Sequence, residues 1–310
     1  MNAIGNDALL LDAQKFLELD QTGHAVDLLC ELLGRDPSHP HAHALLAVAL
    51  VDQGRLHAAQ HEAALALSLA PDDDYAHFAA AVVCIARTRF REAHVHLDQA
   101  LAGDPAEAGY HTIRGRLLLL EERWKPAAEA FETALAINAE HVDALVGLAE
   151  AYWRAGFSDH AEPVVREALR IAPAHSGALT QMGWLLLGRG DVEAARDHAL
   201  WVLSDDATDV AALELLTAIK ARESWFLSLW WRMNAWMLRR GDALRIGILI
   251  GLFLAVQIAR TVLLQYGEQD VAGSLQFVWI AFCLYTWIGP AMFQKQLDKE
   301  LSKVRLQADF

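Results

Sequence analysis

Residues 144–173 read ALVGLAEAYWRAGFSDHAEPVVREALRIAP, and the order of small residues in this stretch governs how the chain is read. Ala149 is followed by Gly156, then by Ala161, Ala168 and Pro173. The glycine separates two alanine-rich apolar segments, each about as long as a short helix. Small side chains let helix backbones cross closely, glycine suits the turn between them, and proline stops the second helix.

Working outward, the alanine at 161 recurs as Ala25, Ala59, Ala93, Ala127 and Ala195, always in steps of 34 residues. Twelve residues before these six positions stand Ala13, Ala47, Ala81, Gly115, Ala149 and Gly183. Twelve residues after them stand Pro37, Pro71, Pro105, Ala139, Pro173 and Ala207. Gly54 and Gly190 hold the place of Gly156 in their own copies. A unit of two short helices cannot bury its apolar faces alone, so such units stack and share a core. The spacing predicts an all-α chain with helical pairs over 6–39, 40–73, 74–107, 108–141, 142–175 and 176–209. A single helix over 210–223 closes the stack, making 1–223 one solenoid.

This pattern resembles the tetratricopeptide repeat family over about residues 6–209. The resemblance implies a right-handed solenoid of helical pairs. The sequence departs from it early in three first helices, where His43, His77 and His111 replace the usual tryptophan or leucine. Members of the family bind protein partners in the concave surface lined by their first helices. Carried over by position, that places Tyr75, Phe78, Val82, Arg116, Trp153, Arg154, Trp184 and Leu187 in a partner-binding groove. Such a surface suits an amphipathic helix or an apolar peptide. The paired lysine and asparagine with which some members grip a C-terminal carboxylate are missing here.

Charge narrows the partner class. Residues 1–223 carry 34 acidic side chains against 17 basic ones, within a chain of net charge −14. Phosphate backbones need a basic face, so no nucleic-acid partner is expected. Cys30, Cys84 and Cys283 stand in no metal or redox spacing. His39, His41 and His43 cluster, and His57 and His61 share one helix face, which raises a metal reading. Glu62 follows the second histidine of that pair, so the zinc-protease order is absent. Histidines one repeat apart lie on helices roughly 8–10 Å apart, a long span for one ion. No phosphate loop, nucleophile elbow or CxxC motif occurs. We therefore expect no metal, no cofactor and no enzyme activity.

Beyond residue 223 the balance reverses, with six acidic and nine basic side chains and six of the ten tryptophans. Residues 246–266 and 271–293 read as two transmembrane helices joined by a short acidic loop. In 224–245, Trp225, Trp230, Trp231, Trp236, Arg239 and Arg240 fit a membrane-interface collar, with lipids as partners. Gly247, Gly251 and Ala255 form a small-residue stripe suited to close helix packing in a homo-oligomer. Arg260 sits inside the first span, and 294–310 reads as an amphipathic cytoplasmic tail. Basic residues flank the pair on its outer sides, and no signal peptide is recognised at the start. Both termini are then expected in the cytoplasm, with the chain integral to a bacterial inner membrane. The function expected is a membrane-anchored scaffold that holds a protein partner at the cytoplasmic face. The alternative is a sensor–effector whose repeats detect a signal while the hairpin oligomerises to perturb the membrane.

Overall fold

The computed structural model describes residues 2–19, 21–223, 242–265, 269 and 273–277. The chain divides after Ala178 into two compact units. In the first, α1 (Asn2–Glu18) and α2 (Thr22–Arg35) form the opening pair. Then come α3 (Pro40–Asp52) with α4 (Leu56–Leu69), and α5 (Asp74–Ala86) with α6 (Phe90–Gly103). The pairs α7 (Ala108–Leu120) with α8 (Trp124–Ile137), and α9 (Val142–Arg154) with α10 (Ser158–Ile171), follow. α11 (Ser176–Arg189) crosses the division. The second unit continues with α12 (Val192–Asp205), α13 (Val210–Glu223) and α14 (Asp242–Gln265). The described residues contain no strand.

The small-residue positions explain why these helices pair. Ala25, Ala59, Ala93, Ala127 and Ala161 are fully buried, and so are Ala47, Ala81 and Ala149, twelve residues before three of them. Gly115 stands twelve residues before Ala127, where a Cβ would come within 2.7 Å of the Phe131 ring. Phe131 on α8 is itself fully buried and is the largest such side chain among the described residues. In the second unit Leu215 on α13 fills the space left by Gly183 on α11.

Within the five pairs from α3–α4 to α11–α12 the chain turns through the left-handed region. Gly54, Gly156 and Gly190 have φ of 71°, 87° and 95° there. Thr88 and Glu122 hold the same place with φ of 58° and 60°, a conformation side chains disfavour. The turn is closed by the next N–H, as from Arg55 to the Leu50 carbonyl and from Arg89 to that of Cys84, both 2.8 Å.

Between pairs, the prolines lie past the helix ends and their carbonyls are used. His43, His77 and His111 each donate from Nε2 to the carbonyl of Pro37, Pro71 and Pro105, at 3.0 Å in all three. This explains the departure from the family pattern: the ring fills an aromatic's place while its polar edge ties the preceding turn. Asp73 and Glu107 cap the following helices by accepting from the Ala76 and Gly109 N–H groups at 2.7 and 3.0 Å.

The membrane expectation is corrected here. Among the described residues, no helix is long and apolar enough to cross a membrane. α14 covers most of the first expected span, but its charge-free run, Ile246–Ala259, is 14 residues long. At 1.5 Å per residue that is about 21 Å, against roughly 30 Å of hydrocarbon. Arg245 and Arg260 bound the run, and Arg260 is exposed. The assignment to a bacterial inner membrane with cytoplasmic termini is therefore withdrawn, and with it lipid partners and oligomerisation through spanning helices. The sensor–effector alternative depended on the same hairpin. Gly247, Gly251 and Ala255 lie on α14. Trp225, Trp230, Trp231, Trp236, Arg239 and Arg240 lie outside the described residues, as do most of 271–293 and all of 294–310.

Candidate functional site

In the first unit the first helices of four successive pairs line one cleft of about 540 Å³. Its apolar wall is built by Val51 of α3, Val82 and Ile85 of α5, and Ile113 and Leu119 of α7. These residues share a wall because one helix face recurs with each 34-residue unit. Its polar rim carries Arg116, Glu150 and Arg154, with Trp124 at the start of α8. Arg154 donates from Nη2 to Glu150 Oε1 at 3.2 Å. Its guanidinium also lies 5.1 Å from the Trp153 ring centroid and 6.0 Å from that of Trp124. Such stacking holds a cation at an apolar edge while leaving it partly wet.

Of the residues expected in a groove, Val82, Arg116 and Arg154 line this cleft. Tyr75 and Phe78 do not. They belong to an aromatic row running from His41 through Tyr75 and Phe78 to Tyr110, with successive centroids 4.5, 5.4 and 5.0 Å apart. The Tyr110 hydroxyl donates to Asp74 Oδ2 at 2.6 Å. Burial, then that carboxylate, pushes the Tyr110 phenol up from its ordinary value, and burial does the same at Tyr75. These tyrosines are consequently neutral packing groups.

Trp153 is half-buried on α9. Trp184 and Leu187 belong to the second unit. Leu187 is buried, with 5 % of its surface exposed, and its carbonyl accepts from Arg222, so it is not open to a ligand. Sequence reasoning missed Trp124 and Glu122. They sit at the turn and the start of a second helix, off the face that the repeat period selects.

His57 and His61 are exposed on α4. Among the described residues, no group of three or more His, Cys, Asp or Glu side chains is placed to hold a metal ion.

A tetratricopeptide repeat model matches residues 13–74 and 121–176. Over those residues the helical pairs are similar to tetratricopeptide repeats. Solved structures agree in fold. The Cut9–Hcn1 hetero-tetramer of the APC/C superposes with a TM-score of 0.56 at 16 % identity over 68 % of this chain. This chain spans 42 % of that chain's length. A thermophilic TPR protein of Thermus thermophilus gives 0.54 at 21 % identity, over 59 % of this chain and 99 % of its own. PilW, a type IV pilus biogenesis factor, gives 0.53 at 18 % identity, over 68 % and 98 %. No curated protein sequence matches the chain.

Proposed function

We propose that this tetratricopeptide repeat protein is a protein-interaction scaffold whose first-unit cleft receives an apolar segment of a partner, an amphipathic helix or extended peptide. One observation carries this reading: four successive repeats line a single 540 Å³ cleft, three of them with apolar side chains, and Arg116 and Arg154 stand at its rim. A helix or peptide laid across such a wall buries apolar side chains at about 25 cal/mol per Å². Arg116 and Arg154 give it direction by meeting acidic or carbonyl groups at the edge. Cut9–Hcn1, a fold relative, is a protein assembly, which fits a binding role rather than catalysis. Trp153 borders the cleft through Arg154, while Trp184 would act, if it binds, from the second unit.

The test places a photo-crosslinking residue at Val82, with exposed Val95 on α6 as the control site. Discrete crosslinking to one partner from position 82, abolished by Ile85→Asp, is the expected result. Equal labelling from both positions would overturn the reading.

A further inference from the structure

Arginines of the first unit mostly face a carboxylate, such as Arg114 with Asp98, Arg123 with Glu121 and Arg154 with Glu150. Arg87 differs. Its Nη1 is buried and has no hydrogen-bond partner among the described residues. A buried donor left without an acceptor costs about 1–3 kcal/mol, more when charged. In a chain of net charge −14, carboxylates to satisfy it are plentiful.

Arg87 follows the end of α5 and lines a cleft of about 130 Å³ among α4, α5 and α6. Gln60, Arg89, Glu92 and His96 line it too. Glu92 lies 3.5 Å from Arg89, so the second arginine is balanced and the charge on Arg87 is not. The cleft is several times larger than one water requires.

His96 adds a proton-dependent group. Its Nδ1 lies 3.1 Å from His77 Nδ1, and His77 Nε2 lies 3.0 Å from the Pro71 carbonyl oxygen. A carbonyl only accepts, so His77 carries its hydrogen on Nε2. With His77 neutral, its Nδ1 accepts and His96 Nδ1 donates. The remaining nitrogen of a neutral His96 is then an acceptor, and protonation makes it a donor.

We propose that this cleft is a binding site for a small tetrahedral oxyanion of phosphate type, clamped by the Arg87 guanidinium with the Gln60 amide beside it. The planar guanidinium fork matches two oxygens of such an anion. Bound anion favours a proton on His96, whose ring burial, then His77, otherwise hold below its ordinary 6.5. The charged and titratable groups around His96 in the cleft are His77 and the Cys84 thiol from α5 and Glu92 from α6, with Arg87 and Arg89 at the connecting turn; burial pushes the thiol up, so it stays neutral. α4 contributes uncharged Gln60, Ala63, Ala64 and Leu67. For an oxyanion of fixed charge, binding therefore tightens as pH falls.

The test is calorimetric titration of the full chain with inorganic phosphate, with acetate as the carboxylate arm and chloride matched for ionic strength. One saturable phosphate site is expected, and with sulfate, whose charge does not change over this range, binding is tighter at about pH 6 than at about pH 7.5. Arg87→Gln should weaken it by about tenfold or more, while Arg91→Gln, exposed on α6, should not. Without phosphate, Arg87→Gln should unfold no earlier than the parent chain. If that variant instead loses stability, or binds phosphate as well as the parent, the arginine is structural and the proposal fails. Heat from acetate alone, or no heat beyond chloride, also overturns it.

Discussion

The ring of Phe131 occupies the space that a side chain on Gly147 would need: a Cβ there would overlap the ring's Cζ and Cε1. Phe131 is fully buried on α8 and meets Gly115 of α7 in the same way, so one ring joins two consecutive repeats. Gly147→Ala should destabilise the chain by about 1–3 kcal/mol through overpacking. Phe131→Leu in that background should recover part of the loss, with a coupling of roughly 0.5–3 kcal/mol. A double-mutant cycle by urea unfolding checks this, and strictly additive costs would show that the contact is not the cause.

Thr88 sits at φ 58°, where three other repeats use Gly54, Gly156 and Gly190. Left-handed backbone costs an ordinary residue about 1–2 kcal/mol, more for a β-branched one, while glycine adds unfolded-state entropy of about 0.4–1 kcal/mol. Thr88→Gly should thus raise stability by roughly 0.5–1 kcal/mol, and Gly156→Ala, at φ 87°, should lower it. Thermal midpoints decide the matter; a drop for Thr88→Gly would refute the strain argument.

His43 is buried and uses both ring nitrogens, one toward Glu62 Oε2 at 2.6 Å and one toward the Pro37 carbonyl at 3.0 Å. His111 makes the proline bond from a wetter place. His43→Ala should cost about 2–3 kcal/mol, because it leaves Glu62 without this partner, and His111→Ala about 1 kcal/mol or less. Equal losses by denaturant titration would mean that the carboxylate contact adds nothing.

Acid should weaken the fold in two stages. Burial holds His41, His96 and His198 below their ordinary 6.5, so the unfolded chain binds protons that the native chain resists. Stability is complete above 6.5 and falls as pH drops through it toward the native values. A hydrogen bond from His175 holds Asp143 below its ordinary 3.8, so its contribution persists above that value and vanishes as pH falls through the native one. Urea midpoints at about pH 7.5 and about pH 5.5 should differ, and His41→Gln should shrink the difference. A flat profile would be inconsistent with buried neutral histidines.

The repeats were legible because a 34-residue pattern of small residues and prolines reflects backbone crossings, which only small side chains permit. The same period reached Val82, Arg116 and Arg154 at the cleft. Tyr75 and Phe78 stand outside that cleft, half-buried in the aromatic row with Tyr110, a contact across repeats that a single-repeat pattern does not carry. Leu187 escaped because a carbonyl contact from α13 lies beyond the reach of any single-repeat pattern. Past residue 223, the length of two apolar runs suggested spans, but Arg260 ends the charge-free part of the first after 14 residues, short of what hydrocarbon requires, and most of the second lies outside the described residues.

The three histidine–proline ties imply that the joint between repeats is an interchangeable part. Each tie is closed by a residue six positions after its proline, from within the chain that follows the joint. Removing 72–105 would bring His111 six residues after Pro71 and rebuild the same joint. The solenoid could then be shortened by one whole repeat without a new hinge, which a single cooperative unfolding transition of that variant would reveal.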